Sequence, residues 1–66
     1  MQITLNGEPQ SFQGVADVAA LVAALGLDTR KVAVERNLEI VPRSAYGKTP
    51  VAEGDRIEIV AFVGGG

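Results

Sequence analysis

The fold is decided by the longest predicted strand, residues 56–63, which are Arg56-Ile57-Glu58-Ile59-Val60-Ala61-Phe62-Val63. Its first half alternates polar and apolar side chains, the period of a strand with one buried face, and its second half is continuously apolar. A continuous apolar run is typical of a strand that is buried on both faces. We therefore place this strand at the centre of a sheet, beside the first strand and parallel to it.

The first strand is predicted at the start of the chain, where residues 1–5 alternate between apolar and polar side chains. Asn6-Gly7 follows, and both residues tolerate the positive φ that a type I′ hairpin turn requires. The pair predicts a return strand over residues 8–12. Because Pro9 cannot donate a ladder hydrogen bond, that strand belongs at an edge of the sheet.

One short helix is predicted over residues 18–25, where apolar side chains recur at the spacing i, i+3, i+4, i+7 as Val18, Leu21, Val22 and Leu25. Asp17 precedes the helix as an N-cap whose carboxylate accepts from the free amides of the first turn. Gly26 follows as the left-handed stop.

The rest of the chain predicts two shorter strands and a loop. Residues 32–34 and 39–41 are strand-like, and residues 36–38 must turn between them. Residues 44–50 mix polar and apolar side chains with a Gly and a Pro, which predicts a loop with one helical turn. We expect Tyr46 to anchor this loop to the core.

This order of elements packs one helix onto one face of a mixed sheet of four to five strands. The fold class is therefore α+β, with the β-grasp arrangement. Sixty-six residues are far fewer than the ~250 at which chains split into separate cores, so we expect a single domain over residues 1–66. Its last three residues, Gly64 to Gly66, are expected to form a flexible tail.

Composition excludes several classes of function. The chain has no Cys and no His, which removes disulfides, Cys-based metal sites, a Cys nucleophile and a His general base. Six Lys and Arg against eight Asp and Glu give a net charge of -2, without the basic stripe that binds nucleic acid. The longest apolar run, residues 18–25, is too short to cross a membrane. With no signal-peptide pattern, a cytoplasmic location is expected.

No catalytic or metal site is predicted from the acidic residues. Glu53 lies near Asp55, and Glu35 near Glu39, but neither pair has a partner acid or base. We interpret all four as solvated turn and strand residues. The chain is therefore not expected to be an enzyme.

The terminal glycines are the remaining chemical feature. In proteins in general, such an ending is best explained as a frayed tail or as residues left over from cloning. Here the glycines directly follow a predicted central strand, and a chain without Cβ atoms can enter a narrow channel of a partner. Gly64 and Gly65 would thread into that channel and present the Gly66 carboxylate. Because a carboxylate is a poor electrophile, its chemistry requires activation by another protein, typically as an acyl adenylate formed with ATP.

Several segments resemble, in order and spacing, the sulfur carrier proteins of thiamine biosynthesis, the ThiS family. They are residues 1–7, 33–37, 40–43 and 54–59, followed by the terminal Gly65-Gly66. The resemblance implies a ubiquitin-like β-grasp fold and a Gly66 that an E1-like enzyme adenylates and converts to a thiocarboxylate. It further implies a sulfur donor such as a cysteine desulfurase, and delivery of the sulfur to thiazole synthase. The carrier itself would bind no cofactor, since the activating enzyme uses the ATP.

Partner docking is assigned to the strand that precedes the tail. If Ile57 and Ile59 face the helix, alternation turns Val60 and Phe62 to the uncovered face of the sheet. Exposed apolar patches often mark partner sites, so Val60 and Phe62 are the docking candidates. The alternative is that loop residues such as Tyr46 cover them.

Three other functions stay open at this point. The small subunit of molybdopterin synthase resembles the same fold and tail and uses the same thiocarboxylate chemistry. A ubiquitin-like modifier would be joined to lysines through Gly66. A plain β-grasp binding module would have an inert tail and tolerate the loss of Gly65 and Gly66. Leu38, which stands where a Gly or polar turn residue is common, is either a partner contact or, as we favour, a turn residue.

Overall fold

Five strands and one helix make up residues 1–62, the part of the chain that the structure, a computed structural model, describes. Two single-turn 3-10 helices lie in the connections. The strands are β1 (Gln2–Leu5), β2 (Glu8–Ser11), β3 (Val32–Arg36), β4 (Glu39–Val41) and β5 (Arg56–Ala61), the helix is α1 (Val18–Ala24), and the 3-10 helices are Thr29–Lys31 and Arg43–Ala45.

The strands form one mixed sheet in the order β2-β1-β5-β3-β4. The two strands next to each other at the centre, β1 and β5, run parallel, and every other neighbouring pair is antiparallel. This arrangement confirms the predicted α+β class, the single helix, the central position of β5 and its parallel pairing with β1. Edge strand β2 carries Pro9, as its missing amide requires.

The two neighbours of β5 pair with it over different lengths. On one side, β3 pairs from Val32 opposite Ala61 to Arg36 opposite Ile57. On the other side, β1 pairs only at Thr4 opposite Arg56 and Leu5 opposite Ile57. The second half of β5 therefore has a strand neighbour on the β3 side alone.

The core lies between α1 and one face of the sheet. Every strand except the edge strand β2 contributes to it, as do the loops around the helix. Its buried side chains are Ile3, Leu5, Val18, Leu21, Val22, Val32, Val34, Val41, Tyr46, Val51, Ile57 and Ile59. Burial of these apolar surfaces is the main stabilising contribution in a domain without disulfides.

The start of the helix is capped as predicted. The Asp17 carboxylate accepts a hydrogen bond of 2.8 Å from the Ala20 amide. Two further amides of the first turn, Val18 N and Ala19 N, donate to loop carbonyls of Thr49 and Tyr46 at 3.0 and 2.9 Å. The orphan donors of the helix are thus met by one side chain and by the loop before β5.

The end of the helix is a Schellman motif around Gly26, which has φ 74°. Gly26 N donates to the carbonyl of Ala23 at 2.9 Å, and Leu27 N donates to the carbonyl of Val22 at 3.1 Å. The regular helix ends at Ala24, one residue before the predicted end, because Leu25 is already the cap.

Tyr46 anchors the loop before β5, as predicted. Its side chain is buried, and its hydroxyl donates to the carbonyl of Val32 at 3.1 Å. The predicted helical turn is present as the 3-10 helix Arg43–Ala45, slightly earlier than expected.

Two expectations were wrong. First, β5 is not buried on both faces, since Val60 is 62% exposed: the single helix covers only one face of the sheet. Second, Asp55 is not a solvated turn residue but is 7% exposed. Its carboxylate accepts from the amide of Ala52 at 2.8 Å, from Arg36 Nε at 2.9 Å and from Asn37 Nδ2 at 3.1 Å. The charge of Asp55 therefore lies inside a hydrogen-bonded cluster that joins two turns.

The pKa of Asp55 reflects this cluster. Burial raises the pKa of the carboxyl, but the hydrogen bonds from the Ala52 amide, Asn37 and Arg36 outweigh burial. The pKa accordingly lies below its ordinary value of 3.8.

Candidate functional site

The fold leaves the face of the sheet opposite α1 uncovered, and we refer to it as the open face. Side chains alternate along each strand, so the burial of Val34 and Ile59 under the helix turns Glu35 and Val60 to the other side. The open face includes the second half of β5, which leads towards the C-terminal residues.

Large apolar side chains are exposed on this face. Ile40 is 78% exposed, Val60 62% and Phe62 54%. We call these three residues the apolar patch. Val60 and Phe62 were predicted, and the alternative that Tyr46 covers them is wrong, because Tyr46 is packed in the core.

Ile40 was missed by the sequence interpretation. The signal was available, since the neighbours Ile40 and Val41 must point to opposite faces of β4 and the single helix covers only one face. The side chain of Val41 is buried, which leaves Ile40 outside.

A shallow groove of about 130 Å³ crosses the open face between β4, β3 and β5. It is lined by Ala33, Val34, Glu35, Ile40, Glu58 and Val60. Small-molecule sites are typically ~300–1,000 Å³, so the groove is too small to enclose a metabolite. Its size and its apolar lining favour contact with side chains of another protein.

Asn6 replaces the missing strand neighbour of β5. Its backbone amide donates to the carbonyl of Ile57 at 2.9 Å. Its side chain then accepts from Ile59 N at 2.8 Å and donates to the Ile59 carbonyl at 3.2 Å. Sequence reasoning gave Asn6 a role only in the hairpin turn, which it also has, with φ 50°. The amide extends the ladder by one step towards the end of β5.

Asn37 likewise continues the hydrogen bonding to β5 beyond the end of a neighbouring strand, here on the β3 side. Its amide donates to the Arg56 carbonyl at 2.8 Å, and its Oδ1 accepts from Arg56 N at 2.9 Å. Asn37 and Leu38 have φ 52° and 70°, the pattern of a type I′ turn between β3 and β4. Leu38 is thus a turn residue, as favoured, and its side chain is 75% exposed.

The predicted tail residues Gly64, Gly65 and Gly66 lie outside the described residues. Within residues 1–62, no group of three or more acidic, His or Cys side chains is arranged to hold a metal ion. None of the helices in that part of the chain is long and apolar enough to cross a membrane.

Three comparisons with known proteins bear on this site. Residues 3–66 match the model of the ThiS family, a match that includes the terminal glycines. A relative from Bacillus subtilis, named sulfur carrier protein ThiS, is 37% identical over 65 residues, with 97% of this chain and 98% of the relative covered. The crystal structure of the thiamine biosynthesis protein ThiS from Geobacter metallireducens is 38% identical, with a TM-score of 0.84 and full coverage of both chains.

A longer relative is also similar. A protein from Paramagnetospirillum magneticum named thiazole synthase is 56% identical over 66 residues. The alignment covers all of this chain but only 20% of the relative. The chain therefore spans about a fifth of the length of that relative.

Proposed function

Because the chain belongs to the ThiS family, we propose that it is a sulfur carrier in thiamine biosynthesis whose C-terminal glycine holds the sulfur as a thiocarboxylate. The observation that carries the proposal is that the family match runs through Gly66. The Bacillus subtilis relative, which this chain covers almost completely, is named as a sulfur carrier.

The proposed chemistry takes place in two steps at Gly66. A carboxylate oxygen attacks the α-phosphorus of ATP in an E1-like adenylating enzyme, and pyrophosphate leaves. A thiol reductant releases sulfide from a donor such as a cysteine desulfurase. The sulfide then attacks the acyl carbon and expels AMP. One carboxylate oxygen leaves with AMP, and sulfur takes its place.

The carrier needs no catalytic side chain for this role. A thiocarboxylate sulfur is polarisable and anionic at neutral pH, so it is a better nucleophile than the carboxylate it replaces. Thiazole synthase would supply the acid-base groups and hold the acceptor. This division of labour agrees with a chain that contains neither Cys nor His.

Partner docking is proposed for Val60 and Phe62, next to the tail. Both side chains are more than half exposed on the open face, where a partner would bury apolar surface while it receives Gly64 and Gly65. We assign this docking to the adenylating enzyme. Since glycines carry no side chain, selectivity must come from the sheet surface rather than from the tail.

The mass of the intact protein tests the proposal. Protein purified from its own host during thiamine-limited growth should contain a form in which one oxygen is replaced by sulfur. Fragmentation should place the sulfur on Gly66. As a control, the same protein with one Ala appended after Gly66 should carry no sulfur. The proposal would be contradicted if cells that depend on their own thiamine synthesis contained the protein with an unmodified Gly66 carboxylate and no sulfur-bearing form.

A further inference from the structure

Two glutamates lie directly opposite each other on the open face. Glu35 of β3 pairs with Glu58 of β5 in the register of the sheet. Directly opposed residues have Cβ atoms about 5 Å apart, and like charges in this position destabilise a sheet. The ion pairs within residues 1–62 are Arg30–Asp28 and Arg36–Asp55, so no described cation lies within 4 Å of either glutamate carboxylate. Arg56 lies on the same face, two residues before Glu58, without forming an ion pair with it.

Apolar side chains line the groove beside this acidic pair. Ala33, Ile40 and Val60 line the same groove as the two glutamates, and Ile40 and Val60 are among the most exposed apolar side chains of the described chain. A purely apolar partner surface would have to bury two unpaired carboxylates, which is costly. A partner that covers this groove must therefore bring positive charge into an apolar contact.

An arginine meets this requirement better than a lysine. Its guanidinium is planar, weakly hydrated and able to donate to two carboxylates at once, whereas an ammonium is strongly hydrated. A phosphate-bearing ligand is disfavoured, because two carboxylates would repel it.

We infer that the acidic pair Glu35 and Glu58 binds an arginine of thiazole synthase, while apolar side chains of that enzyme cover Ile40 and Val60. The inference rests on the proposed function, in which thiazole synthase receives the sulfur. The choice of this partner is supported by the Paramagnetospirillum magneticum relative, in which a domain 56% identical to this chain is part of a longer chain named thiazole synthase. In such a chain the domain is always close to the rest of the enzyme.

The test uses the double variant Glu35→Gln/Glu58→Gln, which keeps the size of both side chains and removes their charges. Its affinity for purified thiazole synthase from the same organism is measured by calorimetry with the unmodified carrier. We expect affinity to fall about tenfold or more, the scale for removing charge from a desolvated pair. The midpoint of denaturant unfolding should rise, because the repulsion is gone. A residue pair with only a structural role would not combine weaker binding with a more stable fold.

Glu8→Gln is the matched control, since Glu8 is an exposed strand residue on β2, at the far edge of the sheet. It removes one negative charge and should leave the affinity unchanged. Added salt should weaken wild-type binding and affect the double variant less.

Equal affinities of wild type and double variant would overturn the inference, as would the absence of wild-type binding to thiazole synthase. A loss confined to the adenylating enzyme would overturn it too. Failure of the proposed function is seen separately, as a native protein that never carries sulfur in its intact mass. If the carrier is sulfurated but Glu35→Gln/Glu58→Gln binds normally, only the inference fails.

Discussion

Asn6 and Ile59 lie 53 residues apart in the chain, and the side-chain amide of Asn6 satisfies both backbone hydrogen-bonding groups of Ile59. At this point β1 has ended while β5 continues. The Asn6 side chain therefore makes the hydrogen bonds to β5 that a residue of a neighbouring strand would otherwise make. Because Ile59 directly precedes Val60, these hydrogen bonds connect the hairpin turn to the segment with Val60 and Phe62 that we assign to docking.

Removing this amide should loosen the end of β5. Asn6→Gly keeps the positive φ at no cost and loses both side-chain hydrogen bonds, so we expect a loss of about 1–3 kcal/mol in the free energy of unfolding. Hydrogen exchange of the Ile59 amide should become faster. Asn6→Ala adds the cost of positive φ and should be less stable than Asn6→Gly. An unchanged unfolding midpoint in Asn6→Gly would show that water replaces the amide without penalty.

Asp17 is expected to have a structural role only. Asp17→Ala removes the N-cap bond to Ala20 and should cost about 0.5–2 kcal/mol of stability. Adenylation of Gly66, measured by pyrophosphate exchange well below the melting temperature, should be unchanged. If the folded variant lost adenylation selectively, Asp17 would have to contact a partner.

Acid should destabilise the protein through Asp55. Because hydrogen bonds hold its folded-state pKa below the ordinary 3.8, its contribution is complete above that pH and is lost as the pH falls through the lower, folded-state pKa. Asp55→Asn should lower stability at neutral pH and flatten the decline below pH 3.8. Unfolding by denaturant at a series of pH values measures both effects.

Asp28→Asn is the comparison for this experiment. The Arg30 side-chain hydrogen bond lowers the pKa of Asp28 to about 2, but this pair is at the surface. Exposed ion pairs contribute little and are screened by salt. The Asp28→Asn effect should therefore be small and disappear in high salt, whereas the Asp55→Asn effect should persist. Equal responses of the two variants would contradict the buried role of Asp55.

Phe62→Ala should weaken binding to the adenylating enzyme more than it weakens the fold. Phe62 is 54% exposed, so its truncation removes little core packing, while a partner would bury the whole ring. Leu27→Ala is the control, because Leu27 is a partly exposed apolar residue after the helix. A large loss of stability with unchanged affinity of the folded fraction would exclude Phe62 from docking.

The receiving pathway is tested with one thiocarboxylated preparation and two enzymes. We expect thiazole formation with thiazole synthase, a deoxyxylulose phosphate and a glycine-derived imine, and no reaction with the large subunit of molybdopterin synthase. Removal of Gly66 should abolish sulfur loading before either reaction. Dithiolene formation without thiazole would reject the thiamine pathway and preserve the carrier mechanism.

The sequence predicted the order of elements, because hydrophobic period and caps are local signals: Asp17, Gly26 and the Asn6-Gly7 turn each mark a boundary. It did not predict the role of Asp55, whose partners Arg36 and Asn37 lie far from it in the chain, at the end of β3 and in the turn after it. The side-chain bond of Asn6 to Ile59 was missed for the same reason. Such contacts depend on which residues of strands distant in the chain lie opposite each other, and this pairing of distant strands is not given by the local signals at each boundary.

The exposed residues were partly predictable. One helix can cover only one of the two faces of the sheet, and this argument predicted that Val60 and Phe62 are uncovered. Applied to β4, the same argument would also have predicted that Ile40 is uncovered. The opposition of Glu35 and Glu58 required the register of β3 against β5.

The central place of β5 has a consequence for synthesis on the ribosome. The hairpin of β1 and β2 and the helix are translated first, but a lone hairpin is marginally stable in water. Until residues 56–61 emerge, β1 and β3 have no common neighbour, and each presents an unpaired edge. We therefore expect a nascent or prematurely terminated chain without β5 to be prone to proteolysis and aggregation, and the sheet to close only after β5 has emerged.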